Sequence, residues 1–410
     1  MPPGLTLLMK VLALSPRAFY PADTGGRIRS SRIFEYLAAR HRLSLVCFRA
    51  ASDPADAFSR MAALCDELHT VPWQESSTRP GYYLEILRSL GSTLPFTVRK
   101  YTSRAMQATL RKALDGGTYD ILICDFLQPS LNCLNLPFGP KVLFEHNVEA
   151  QIRVRQVDRL RNPMIRPLFR LEAAKLRAYE GRAARAFDHA IMVSEVDRRT
   201  MAEWYGVTTT SSIPTGVDLE YFQAGPTPGH RDIVFTGSMD WLPNQDAVTF
   251  FTADVLPLLP ADITFTVVGR RPPASITALP RQDSRVRVTG SVEDVRPFVR
   301  DAAVYVVPLR IGGGTRIKIY EAMALARAVV STEVGAEGLP IRAGEHLLLA
   351  SSPREMANAI QRLLDDPARR LALGHAARRF VEENGSWDAA GARFAEICEQ
   401  VVESHQRRTT

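Results

Sequence analysis

The stretch Val304-Tyr305-Val306-Val307-Pro308-Leu309-Arg310-Ile311-Gly312-Gly313-Gly314-Thr315-Arg316-Ile317-Lys318-Ile319-Tyr320-Glu321-Ala322-Met323-Ala324 decides how this 410-residue chain is read. Val304–Pro308 is a short apolar run of strand length, and Arg316–Ala326 carries a helical pattern that leads to a second strand at Ala328–Ser331. Strand, loop, helix and strand make one parallel βαβ unit. The triple glycine stands where unpaired N–H groups and the positive end of the helix dipole coincide, which suits a diphosphate. Gly313, Gly314 and Thr315 are candidate ligands, and Arg316 and Lys318 can add charge-assisted hydrogen bonds. The loop is not a P-loop, because Gly-Lys-Ser/Thr is missing. Glu321 sits in an otherwise apolar helix. A buried carboxylate needs a partner, and two adjacent ribose hydroxyls would serve.

The same alternation runs outward in both directions. Downstream, helices are expected at Pro353–Leu364 and Pro367–Glu383, with a strand at Leu347–Ala350. Upstream, strands are expected at Asp232–Thr236, Ile263–Val268 and Val286–Thr289, with a helix at Gln245–Leu259. The first half repeats the scheme. Its strands are Leu8–Ser15, Leu43–Phe48, Leu68–Val71, Asp120–Asp125, Lys141–Glu145, His189–Ser194 and Ser211–Pro214, and its helices include Arg27–Arg40 and Arg104–Leu114. The class is α/β, with two doubly wound halves. A turn-rich stretch from Gln223 to His230, holding Gly225, Pro226, Pro228 and Gly229, marks the seam. The expected domains are 1–218, 219–385 and a closing helical segment 386–410.

Ligands of such sheets bind beyond the carboxyl ends of the strands, so the loops after strands supply the remaining candidates. Gly25 and Gly26 precede a helix and allow close backbone approach to an anion. His146, beside Asn147, follows a strand and can hydrogen-bond a sugar hydroxyl or orient an acceptor. Gly237, Ser238, Gly269 and Arg270 lie in two further βα loops, where ordinary turn chemistry explains them as well as ligand contact does.

Composition narrows the class. With 46% hydrophobic and 23% charged residues the chain reads as globular. Met1 to Leu14 is apolar, yet Lys10 interrupts it, so a first strand is expected rather than a secretory signal, with Met9 a candidate start. No run approaches the roughly 18 apolar residues of a membrane helix. The five cysteines lack metal-ligand spacing and suit a reducing cytoplasm; no metal site is expected. Ten Arg or Lys against four acids lie between Gln151 and Asp188. That is either a solvated helix face or a footprint for anionic lipid at the inner membrane face. Nucleic acid is not expected, since aromatics are not interleaved there. A nicotinamide dehydrogenase is not expected, because neither half opens on G-x-G-x-x-G.

Taken together, Thr24-Gly25-Gly26, the His146 loop, Ile213-Pro214-Thr215-Gly216-Val217-Asp218, Thr236-Gly237-Ser238, Gly312 to Lys318, and Glu321-Ala322-Met323-Ala324 followed by Ala328-Val329-Val330 resemble the retaining glycosyltransferases of family 4, particularly the bacterial exopolysaccharide branch. The resemblance implies a GT-B fold, two Rossmann-like domains facing each other across a cleft, with the last helix (Ser386-Trp387-Asp388 onward, carrying Phe394, Ile397 and Val401) crossing back to the first domain. It implies a nucleoside-diphosphate sugar as co-substrate without further cofactor, and a glycan or lipid-linked acceptor. Glu321 matches the family's ribose-binding glutamate. The chain departs at Gly313, where family members often place another glutamate, and at Ser238-Met239-Asp240-Trp241, which replaces an Arg and a Lys that grip the diphosphate. Arg316 and Lys318 are expected to take over part of that task. The alternatives on the same scaffold are a sugar-nucleotide 2-epimerase and a non-catalytic sugar-nucleotide-binding subunit.

Overall fold

The computed structural model describes residues 8–74, 89–160, 162–226 and 231–409. The apolar start before Leu8, Arg161 of the basic segment and the end of the glycine- and proline-rich seam lie outside them. The chain divides into two compact units. One runs to Ile213 and takes in the residues from Asp388 onward, and the other is Pro214–Trp387. The change of unit therefore falls upstream of 218, at Pro214, whose missing N–H cannot extend a strand.

The first unit holds a parallel sheet of β1 (Lys10–Ser15), β2 (Arg42–Ala50), β3 (Glu67–Trp73), β4 (Ile121–Asp125), β5 (Lys141–Glu145), β6 (His189–Met192) and β7 (Thr210–Ser212). Their order is β3-β2-β1-β4-β5-β6-β7. The strands β4 and β5 are buried at every position, as expected when helices cover both faces. Leu12, Leu14, Leu122, Leu143 and Met192 lie in that core.

The second unit repeats the pattern with β8 (Ile233–Thr236), β9 (Phe265–Val268), β10 (Val286–Gly290), β11 (Val304–Val307), β12 (Ala328–Ser331) and β13 (Leu348–Leu349). The order is β10-β9-β8-β11-β12-β13, all parallel. Phe235, Phe251, Phe265, Tyr305 and Met323 fill the core around these strands. In each sheet the first strand lies beside the fourth, so the chain reverses direction of winding there. Such switch points leave an opening at the strands' carboxyl ends.

Differences from the sequence reading have local causes. The helix expected over Gln245–Leu259 is α-helical only at Leu242–Phe250. It widens to a π turn over Phe251–Val255 and tightens at Leu256–Leu258, where Pro257 has no N–H to continue the ladder. The first helix begins at Gly25, not Arg27, so both glycines lie in its first turn. The last strand shrinks to Leu348–Leu349.

The closing helix, Trp387–Thr409, belongs to the first unit from Asp388 onward. Phe394 meets Phe144 of β5 edge to face at 4.9 Å, and Gly391 lies so close to Tyr36 that an added Cβ would stand 2.3 Å from its ring. Its buried stripe is Phe394, Ile397, Cys398 and Val402; Val401, expected in that stripe, is half-buried. No described helix is long and apolar enough to cross a membrane.

Candidate functional site

In the second unit the loops after β8 and β11 flank the switch point. Thr236 closes β8, and its hydroxyl shares a 2.6 Å hydrogen bond with the phenol of Tyr305 in the neighbouring β11, tying the end of β8 to that strand. Gly237 follows. Its N–H donates to Val268 O at 2.9 Å, while Met239 N–H donates to Arg270 O at 2.9 Å, so the loops after β8 and β9 run side by side. The approach is close enough that a Cβ on Gly269 would lie 1.8 Å from Gly237 O. Ser238 Oγ donates to Asp240 at 2.6 Å and accepts from Arg270 Nε at 2.8 Å. These two candidates are thus engaged with each other.

Lys318 lies on the helix Ile317–Ala324, yet its ammonium reaches back to the β8 loop. It donates to Thr236 O at 2.7 Å and to Asn244 Oδ1 at 3.0 Å, and it lies 4.3 Å from the centre of the Phe235 ring. A Cβ on Gly237 would stand 2.7 Å from that nitrogen, so glycine is required for the approach. Burial pushes the Lys318 ammonium down to about 7; Arg316 adds to the fall and Glu321 opposes it. Glu321, half-buried, is pushed up to about 7 by burial, against the pull of Lys318. Among the described residues nothing forms a hydrogen bond or ion pair with its carboxylate.

The triglycine loop itself is buried from Ile311 to Ile317. Gly314 has φ +65°, a left-handed conformation that favours glycine. Arg316 does not extend outward. Its guanidinium folds back and donates to Gly313 O and, at 3.0 Å, to Gly314 O, with the Trp241 ring centre 5.9 Å away. A Cβ on Gly312 would collide with it. Thr315 shares a hydroxyl–hydroxyl bond with Thr215. Of the two cations expected at the phosphates, the structure leaves Lys318 poised over the β8 loop and uses Arg316 to brace the turn.

The first unit carries a second constellation. His146 follows β5, is buried, and its ring lies parallel to Phe126 at 3.8 Å. Nε2 is 2.7 Å from Asp125 Oδ1. A carboxylate only accepts, so Nε2 carries the proton and Nδ1 keeps the lone pair. Asp125 is itself held by the hydroxyls of Ser15, at 3.1 Å, and Ser30, at 2.8 Å. Nδ1 has no hydrogen-bond partner among the described residues, and a Cβ on Gly26 would come within 3.9 Å of it. Burial, joined by the Arg29 charge, holds the imidazole below its ordinary range although Asp125 pulls the other way. Gly25 is exposed at the helix start, and Asn147 donates to Glu149 at 3.3 Å.

Asn244, Tyr305 and Asp125 escaped the sequence reading. Asp125 left a trace, as the single acid closing an apolar strand. Asn244 left little, since an Asn after Pro243 reads as an ordinary first helical turn. The described residues contain no group of three or more His, Cys, Asp or Glu arranged to hold a metal ion.

Comparisons with known proteins cover both halves of the chain. The family model "Glycosyltransferase Family 4" matches residues 31–221, and "Glycosyl transferases group 1" matches residues 230–366. The chain is 27% identical over 262 residues to D-inositol 3-phosphate glycosyltransferase of Kineococcus radiotolerans, covering 55% of this chain and 60% of that protein. It is 24% identical over 400 residues to phosphatidyl-myo-inositol mannosyltransferase of Mycobacterium tuberculosis, covering 88% and 98%. The fold superposes on sucrose-phosphate synthase from Thermosynechococcus elongatus with a TM-score of 0.73 at 19% identity, over 97% of this chain and all of that one. Both halves thus match glycosyltransferase family models, and with both sheets wound alike the chain has the GT-B fold.

Proposed function

We propose that the protein transfers a hexose-type sugar from a nucleoside diphosphate to an acceptor hydroxyl with retention of anomeric configuration, in cell-surface glycan synthesis such as that of an exopolysaccharide. The observation that carries this is the convergence at one switch point of the Lys318 ammonium, the Gly237 loop and the partnerless Glu321 carboxylate. Negative charge grows on the leaving diphosphate as the glycosidic bond breaks. A fixed ammonium acts most strongly where charge develops. Glu321 accepts hydrogen bonds from the ribose, which answers its need for a partner. Gly313, Gly314 and Thr315 form the turn that leads into the helix Ile317–Ala324, and Gly25 and Gly26 open the helix after β1. His146 Nδ1 accepts a hydrogen bond from a sugar or acceptor hydroxyl, with Asp125 fixing the ring's tautomer. Retention follows from attack on the face that the diphosphate leaves, with a phosphate oxygen taking the acceptor's proton. No further cofactor or metal enters this scheme.

A lipid-linked acceptor at the cytoplasmic face of the membrane suits the exposed arginines of the helix Arg166–Ala186, among them Arg170 and Arg182, together with exposed Met164. Sedimentation with vesicles containing anionic lipid, but not with neutral ones, is the expected result.

Thermal-shift screening against nucleoside diphosphates and their sugars tests the main reading, followed by product analysis with acceptors and NMR of the new anomeric centre. Absence of any stabilising nucleotide overturns it; a sugar epimerised without an acceptor replaces it with the epimerase reading. Lys318→Ala should lower turnover about 10²-fold. Glu321→Ala should weaken nucleotide affinity in a folded protein, and normal affinity would remove Glu321 from the ribose site.

A further inference from the structure

The Lys318 ammonium has three N–H bonds to place. Two are accounted for, on Thr236 O and Asn244 Oδ1, and both acceptors are neutral. No described carboxylate is paired with it. Asn244 is buried at 3% exposure in the first turn of the helix Leu242–Phe250, and its amide is used at both ends. The oxygen accepts from Lys318, while the nitrogen donates to Ser238 O at 2.8 Å. One side chain therefore joins the β8 loop to a lysine that lies 74 residues further along the chain.

The joint is directional. A lysine side chain has large rotamer freedom, and Phe235 beneath it supplies attraction without direction. The two oxygens fix two of the three N–H vectors and leave the third beside Gly237. Half-exposed Lys318 can reach an anion from there, and glycine at 237 admits both the lysine and the Asn244 amide, each of which would stand 2.7 Å from an added Cβ.

We infer that Asn244 is a positioning residue for the donor diphosphate, holding the Lys318 ammonium over the Gly237 loop so that its third N–H meets a phosphoryl oxygen. This rests on the sugar-nucleotide reading above. Asn244 touches no substrate itself. Its effect passes through Lys318, and the bond to Ser238 O holds the asparagine itself in place.

A double-mutant cycle tests it, with UDP and GDP titrated calorimetrically into wild type, Asn244→Ala, Lys318→Ala and the pair. Loss of a hydrogen bond to a charged group should make Asn244→Ala bind about tenfold more weakly. The pair should bind no worse than Lys318→Ala alone, because the asparagine acts only through the lysine. Losses that multiply, or wild-type affinity in Asn244→Ala, overturn the inference while leaving the sugar-nucleotide reading intact. Failure of the wild type to bind any nucleoside diphosphate of the thermal-shift panel removes that reading and this one with it.

Asn244→Asp gives a second readout and decides the matter if the alanine variant does not fold. It keeps an oxygen on Lys318, gives up the bond to Ser238 O because a carboxylate only accepts, and adds a charge to a surrounding made of Arg316, Glu321 and the Phe235 ring. The lysine should then stay protonated, and the fall of wild-type affinity above pH 7 should vanish. A pH profile identical to wild type would overturn the role.

Discussion

Nucleotide binding should lose strength about tenfold per pH unit between pH 7.5 and pH 9. The perturbation is proton removal from Lys318, whose ammonium is held down to about 7 by burial and by Arg316, against the ordinary 10.5. A diphosphate brings the counter-charge that the free site lacks, and binding should return the group toward its ordinary range. If only the ammonium form binds, about one site in a hundred is competent at pH 9, so affinity falls about 100-fold from its value below pH 7. The nucleotide's own last phosphate ionisation lies near roughly pH 6 and does not disturb this window. Glu321, also near 7, acts on the other side: as a carboxylate it accepts from both ribose hydroxyls, and protonation turns one of its oxygens into a donor and weakens that hold. Affinity should therefore peak close to pH 7. Calorimetry of UDP and GDP from pH 6 to 9.5, in two buffers of different ionisation enthalpy, measures both affinity and protons exchanged. Uptake should approach one proton per site above pH 8, and Lys318→Ala should take up none. A flat affinity between pH 7 and 9, or net proton release, would refute the reasoning.

Three further expectations concern the framework. Gly269→Ala sets a Cβ 1.8 Å from Gly237 O, a backbone atom that cannot rotate away. Purified variant should melt several degrees below wild type, in keeping with a loss of about 1–3 kcal/mol from overpacking, and an unchanged melting temperature would contradict the close packing of those loops. Glu180 is pushed up to about 8 by burial and by Glu149, opposed by hydrogen bonds from Tyr205 and two backbone N–H groups. A carboxyl raised in the folded state contributes stability that is present below 4.5 and lost as pH rises through 8. Urea midpoints should consequently fall over that range, and less so in Glu180→Gln; parallel curves would remove Glu180 as a source. Phe394→Ala empties a fully buried aromatic site against Phe144 and should cost about 3–5 kcal/mol in urea unfolding.

Much of the fold was legible because burial leaves a periodic mark. Lys141–Glu145 and Ala328–Ser331 were bounded correctly as strands, since each is a short run of apolar residues enclosed by helices on both faces. The triglycine turn was equally visible, because glycine is the residue that a φ of +65°, as at Gly314, favours. Periodicity was less informative where two rules compete. Over Gln245–Leu259 the apolar spacing asks for a helix and Pro257 interrupts it, so the regular part ends at Phe250.

Sequence alone determined that two α/β halves exist, that glycines precede particular helices, and that a carboxylate at 321 and cations at 316 and 318 lie near one loop. How those two cations are placed was decided only by tertiary structure. Arg316 turns back onto the carbonyls of its own loop, whereas Lys318 crosses to Thr236 and Asn244. That crossing exists because β8 and β11 are neighbours in the sheet, although 67 residues separate the end of one from the start of the other. In the same way Asp125 finds His146 because β4 lies beside β5. Hydrophobic spacing records which side of an element is covered. Hydrogen-bond partners depend on which strands end side by side, and that order is written in the packing of the whole sheet.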